Sequence, residues 1–151
     1  MFQYGSCFGG DRSEQKCVCC RRGEKDPEVI LETIARYGVK TLHFVPSMLS
    51  AFLDALKDGS RIEQIRSIRQ VFASGEALPA PLAERFRRVV SSQTDAELIN
   101  MYGPTEATVE VSCYECPLSD GITTVPIGKP IDNLQLYVVS PFRNMQPIGV
   151  A

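Results

Sequence analysis

The chain has 151 residues, 44% of them hydrophobic, with 16 Lys plus Arg against 18 Asp plus Glu and a formal net charge of −2. That is the length of one ordinary domain with an average globular composition, which argues against a large multidomain machine and against a disordered chain. The near-neutral balance excludes a nucleic-acid partner held by bulk charge, and no apolar run approaches the roughly 20 residues of a membrane span. The opening MFQYGSCFGGDRSEQ lacks a basic segment followed by an apolar one, so no secretory signal is read there, and the expected location is cytoplasmic. Of the six cysteines, Cys7, Cys17, Cys19 and Cys20 crowd the first 20 residues.

Residues 1–24 are rich in Cys, Gly and Arg and follow no helical or strand period; they stay unassigned. From Asp26 the pattern is orderly. Asp26-Pro27-Glu28 supplies a cap, a proline at the first helical position and an acid in the first turn. Val29, Ile30, Ile34 and Tyr37 then share a face, and Gly38 can end the helix. KTLHFV (40–45) reads as a buried strand. Ser47 can cap a second helix with Met48, Leu49, Phe52, Leu53 and Leu56 inward, broken by Gly59. Ile62, Ile65 and Ile68 indicate a short helix or turn, and RQVFAS (69–74) a second strand. Pro79 and Pro81 open a third helix with Leu82, Phe86, Val89 and Val90 inward and Arg85, Arg87 and Arg88 largely outward. ELIN (97–100), TVEVSCY (108–114) and LQLYVV (134–139) complete the expected strands, the second of these with one solvated face. Helices alternating with short apolar strands predict an α/β fold, a mostly parallel sheet flanked by helices.

The most informative string is INMYGPTEATVEVS (99–112), expected just past the C-terminal end of a strand, where open α/β sheets bind ligands. Its residue types suit a nucleotide. The Asn100 amide can read an adenine edge, and Tyr102 offers a flat ring. Gly103-Pro104 turns the chain and lets backbone approach a ligand closely. Thr105 offers a hydroxyl to a phosphate oxygen, and Glu106 a hard oxygen of the kind Mg²⁺ prefers. A bare Gly-Pro-Thr turn with a buried Tyr and a solvated Glu would read more blandly as a β-turn.

The longer string NMYGPTE resembles the N-x-Y-G-P-T-E motif of the amino-acid adenylation domains of nonribosomal peptide synthetases, within the AMP-forming acyl and aryl ligases. TLHFVPSML (41–49), VFASGEALP (71–79), VPIGKPIDN (125–133) and PIGVA (147–151) resemble further family segments, in the family's order. The resemblance implies that residues 25–151 are part of the large N-terminal subdomain of such a domain, with ATP and Mg²⁺ as cofactors. It implies that Asn100 contacts adenine and Tyr102 stacks on it, with Gly103 close by. The backbone at Ser74, Gly75 and Glu76 would border the nucleotide and substrate. Thr105 would meet the α-phosphate and Glu106 would hold Mg²⁺, the pair carrying the catalytic roles. The family's side-chain pocket maps to His43, Phe72, Ser74, Met101, Val109 and Glu110. Buried polar groups there reject analogues that leave them unpaired, so a short hydroxylated amino acid fits, serine first. HFVPSML and VFASGEALP also resemble serine-activating domains most closely. The implied reaction joins amino acid and ATP into aminoacyl-AMP and pyrophosphate, with the acyl group then passing to a carrier-protein phosphopantetheine thiol.

The family's phosphate loop has no match in residues 1–25, and its ribose-binding Asp and C-terminal catalytic Lys match nothing before Ala151. The chain therefore reads as an internal slice, expected to have little activity alone. A truncated gene product with a mis-framed start is the alternative. A zinc module is the other reading, because Cys17-Val-Cys19-Cys20 and Cys113-Tyr-Glu-Cys116 both contain C-x-x-C. Zinc ribbons space such pairs by about 15–20 residues, and Cys20 and Cys113 stand much farther apart.

Overall fold

The computed structural model describes residues 26–107, 110–118, 121 and 123–147; the N-terminal segment, with its four cysteines, and Val109 lie outside the described residues. Helix α1 runs Pro27–Tyr37. The Asp26 carboxylate accepts from the Glu28 N–H at 3.0 Å, Pro27 takes the first turn, and Gly38 closes the helix at φ 62°. Its inward stripe is Ile30, Leu31 and Ile34. Tyr37, expected on that stripe, is exposed instead: it is the last helical residue, past the core, and its ring takes the Arg36 guanidinium at 5.3 Å.

Strand β1 is Thr41–Phe44, and only Phe44 is buried along it. The expectation of a buried strand is corrected, because among the described residues β1 stands at the edge of the sheet. Helix α2 runs Pro46–Ala55 and begins one residue before the expected cap. Val45 holds the cap position with no side-chain bond, so Ser47 does not cap it. Proline's missing N–H costs nothing at the first helical position, and its fixed φ starts the turn. Leu49, Phe52, Leu53 and Leu56 are fully buried, and the Phe52 ring lies 5.2 Å from that of Phe44. A 3₁₀ turn at Ile62–Ile65 leads to β2, Gln70–Ala73. Helix α3, Ala80–Phe86, continues into a π-helical turn, Arg87–Ser91. Ala83, Phe86 and Val90 point inward. Arg85 pairs with Asp54 of α2 at 2.7 Å, and Arg87 with Glu84 at 2.7 Å.

Strand β3 is Glu97–Tyr102, β4 is Ser112–Glu115 and β5 is Lys129–Pro130. The sheet order is β1-β2-β3-β4-β5, parallel across the first three strands and antiparallel across the last two pairings. Burial falls along β4 from Ser112 to Glu115 rather than alternating. The expected strand at 134–139 does not form. Leu134, Leu136, Tyr137, Val138 and Val139 are exposed, and a single bridge joins Val139 to Met145. An apolar alternation becomes a strand only where a sheet edge accepts its hydrogen bonds, and here Lys129–Pro130 already pairs with β4.

The register gives the sheet two distinct faces. Phe44, Val71, Ala73 and Leu98 join the helices in the main core, with Leu31, Ile34, Leu49 and Phe86. His43, Phe72 and Ile99 form a row on the opposite face, and Met101 and Cys113 pair beyond them. Side-chain direction alternates along a strand, so those two sets cannot mix.

Candidate functional site

The carboxyl ends of the three parallel strands meet at one edge. β1 ends at Phe44, β2 leads into Ser74-Gly75-Glu76, and β3 ends at Tyr102, ahead of the loop that begins at Gly103. The Ser74 N–H donates to the Phe44 carbonyl at 3.0 Å, tying the first two together. Gly75 sits at φ +85°, and a Cβ there would stand 3.3 Å from Val45 Cγ1. The turn after β2 is thereby folded back over the end of β1 by a residue without a side chain.

β3 is longer than the sequence suggested. Met101 and Tyr102 extend the expected 97–100 strand, and the loop starts at Gly103. Asn100 therefore faces the helix side and is buried, with its Nδ2 donating to the Pro126 carbonyl at 3.0 Å. Tyr102 is exposed at the strand end. The loop carries Thr105–Ala107 as a 3₁₀ turn, pinned by the Ala107 N–H on the Pro104 carbonyl at 3.0 Å. Thr105 and Glu106 are both exposed on it. The loop closes where the Val111 N–H donates to the Tyr102 carbonyl at 2.8 Å.

A polar cluster occupies the face away from the helices. His43 Nε2 lies 2.6 Å from Ser74 Oγ and 4.0 Å from a Glu110 carboxylate oxygen. The Glu110 side chain is only 9% exposed and that of His43 36%. Burial lowers the His43 pKa from its ordinary value, and the Glu110 charge opposes that shift. A neutral imidazole beside a hydroxyl and a carboxylate can both donate and accept, which is what recognition of a small hydroxyl group requires. Phe72 pairs with His43 in register, and Met101 is 7% exposed on the same face. Five of the six expected pocket residues thus lie on one side of the sheet or at its loops, and Val109 is outside the described residues.

The C-x-x-C at Cys113 and Cys116 does not present two reactive thiols. Cys116 is buried, and burial pushes its pKa up to about 11. No group of three or more His, Cys, Asp or Glu suited to a metal occurs among the described residues. No helix among them is long and apolar enough to cross a membrane.

The family model of AMP-binding enzymes matches residues 1–151. The chain belongs to the AMP-binding enzyme family. Similar members include a component of mycosubtilin synthase from Bacillus subtilis, 50% identical over 132 residues, covering 85% of this chain and 5% of that protein. Zwittermicin A synthase ZmaJ of Bacillus cereus is 43% identical over 136 residues, covering 88% of this chain and 26% of that protein. The nonribosomal peptide synthetase FmoA3, in its AMPPNP-bound form, superposes with a TM-score of 0.65 at 25% identity, covering 81% of this chain and 13% of that one. The chain thus spans a small part of the proteins it matches, and within the AMP-binding family it is homologous to synthetase adenylation domains.

Two residues at the site escaped the sequence reading. Ser112 is fully buried and donates to the Ile127 carbonyl at 2.7 Å. Gly128, at φ +83°, lets its backbone touch that of Cys113. A glycine inside the strand-like VPIGKP run was the available signal, since such glycines mark close backbone approach.

Proposed function

We propose that this chain is the part of an amino-acid-activating domain that binds ATP, orients its α-phosphate and selects the amino acid, in nonribosomal peptide synthesis. The observation that carries the reading is the NMYGPTE segment, which runs off the carboxyl end of β3 beside the ends of β1 and β2, in a member of the AMP-binding enzymes. Tyr102 stacks on adenine, and Gly75, Glu76 and Gly103 border the nucleotide, while Asn100, whose Nδ2 is committed to the Pro126 carbonyl, supports them from the buried side. Thr105 donates its hydroxyl to the α-phosphate while the amino-acid carboxylate attacks in line and pyrophosphate leaves. Catalysis here is positioning and charge neutralisation.

Mg²⁺ fits this loop by its donor chemistry. Glu106 and Thr105 put a carboxylate and a hydroxyl side by side on one exposed turn. Mg²⁺ is usually held by one or two carboxylates together with waters and phosphates. Bound there, it would neutralise phosphate charge; Glu106 is the protein ligand.

Serine is the proposed substrate. His43, Ser74 and Glu110 supply polar contacts for its hydroxyl, while Phe72, Met101 and Val109 limit the size of the side chain. The acyl group then passes to a carrier-protein phosphopantetheine thiol. The proposed location is the cytoplasm, which supplies ATP. An intact synthetase domain carrying this segment tests the reading by amino-acid-dependent exchange of pyrophosphate into ATP. Serine should exceed leucine and phenylalanine by about 100-fold or more. Exchange with serine no better than with leucine refutes the substrate, and no exchange with any amino acid refutes the activity.

A further inference from the structure

Among the described residues, Asn100 and Ser112 are the two buried polar ones, and they serve the same short segment. Asn100 Nδ2 donates to the Pro126 carbonyl at 3.0 Å, and Ser112 Oγ to the next carbonyl, that of Ile127, at 2.7 Å. The two side chains share one face of the β3–β4 hairpin: Asn100 pairs with Tyr114, and Tyr102 with Ser112. Immediately after these carbonyls Gly128 meets the Cys113 backbone, and Lys129–Pro130 becomes β5 at the hairpin edge. The Ile131 N–H then donates to the Val111 carbonyl at 3.1 Å. Residues 126–131 therefore form a strap. It crosses one face of the hairpin, turns over its edge and is bonded along both.

The strap lies at the base of the loop that begins at Gly103. Ser112 and Val111, which receive it, are the first residues after that loop, and Tyr102 is the last before it. A buried hydroxyl spent on backbone costs more when broken than it contributes when made, so such bonds are found where geometry must hold. We propose that Ser112 is a positioning residue: through the strap it holds the Thr105–Glu106 turn at the height where a nucleotide's phosphates meet it. This rests on the proposed nucleotide reading, but its structural half can be judged without it.

The test uses the full chain and two variants, Ser112→Ala and Ser112→Cys. The cysteine fills the serine's space but donates only weakly. Amide hydrogen exchange should quicken by about ten-fold or more across 103–111 in both variants, with α2 and β2 unchanged. Isothermal titration should show affinity for Mg²⁺·ATP falling by a similar factor while affinity for adenosine, which lacks phosphates, holds. The inference is overturned by unchanged exchange at 103–111, by acceleration spread evenly over the chain, or by Ser112→Cys restoring wild-type exchange. Equal loss of adenosine and Mg²⁺·ATP affinity also overturns the positioning role. The titrations are repeated in an intact synthetase domain carrying this segment; if that wild-type domain binds neither ligand the nucleotide reading fails, and the exchange measurement then decides the strap alone. If Ser112→Ala does not fold, Ser112→Cys carries the same comparisons.

Discussion

Replacing Gly128 with alanine puts the strap's geometry under a direct load. The added Cβ would stand 1.8 Å from the Cys113 carbonyl oxygen, 2.3 Å from its carbon and 2.7 Å from the Tyr114 nitrogen. Carbon and oxygen approach to about 3.3 Å at closest in packed protein, so the backbone must retreat by about 1.5 Å. All three atoms belong to backbone already committed to the sheet, so no flexible side chain can yield. The retreat breaks the Ser112–Ile127 and Asn100–Pro126 bonds, leaving buried groups that cost about 1–3 kcal/mol each. Holding alanine at φ +83° costs about 1–2 kcal/mol more. The total is about 5 kcal/mol, a large share of the total stability of a typical domain. Gly121→Ala is the control: φ there is +87°, but among the described residues nothing lies within 4 Å of the added carbon. It should lose about 1–2 kcal/mol, the strain alone. Urea unfolding followed by circular dichroism gives both values from the midpoint and slope. Equal losses for the two variants would refute the reasoning, because the contact with Cys113 would then cost nothing.

Two titrations follow from the same structure. His43 should titrate below its ordinary 6.5, because burial disfavours the imidazolium more than Glu110 favours it. The unfolded chain then takes up the proton first, so stability is full above pH 6.5 and falls as pH drops through the folded value. Substituting His43→Gln should flatten that part of the pH–stability curve; NMR of the single histidine measures the shift, and a value above 6.5 refutes it. Cys116, with a pKa pushed up to about 11, should be alkylated by iodoacetamide at pH 8 far more slowly than the partly exposed Cys113. Peptide mass spectrometry separates the two, and equal rates would contradict the burial.

The two ends of helix α1 were legible, because Asp26, Pro27 and Gly38 each carry a local backbone preference that needs no partner; its buried face was legible only in part, with Ile30 and Ile34 inward as expected, Leu31 buried beside them, and Val29 and Tyr37 not buried. The stripe of α2 was legible for the same kind of reason, since a period of 3–4 residues is a property of the chain itself. Its cap was misplaced by two positions, from Ser47 to Val45, because proline's backbone outweighs a serine's optional bond. The strands show the opposite balance. LQLYVV has as good an alternation as any segment, yet it forms no strand among the described residues, while the two residues Lys129 and Pro130 do. A helix satisfies its backbone within itself, and a strand borrows its hydrogen bonds from a neighbour that the local sequence does not name.

The site divides in the same way. The sequence by itself determined which chemistry is available: NMYGPTE, with its ring, hydroxyl and carboxylate, and a histidine, a serine and a glutamate spread across the chain. Only the tertiary structure decided which of these meet. His43 and Ser74 are 31 positions apart and come within 2.6 Å because β1 and β2 are parallel neighbours in one register. Asn100 sits two residues before Tyr102 in the same strand, yet its amide is turned to the buried side and spent on Pro126. Ser112 and Gly128 gave almost no signal, because a buried hydroxyl and a missing side chain acquire meaning only when another stretch of backbone arrives beside them. Residue type and local preference are written along the chain; close approach between distant segments is settled by packing, where burial, not spacing, determines which polar groups must be paired.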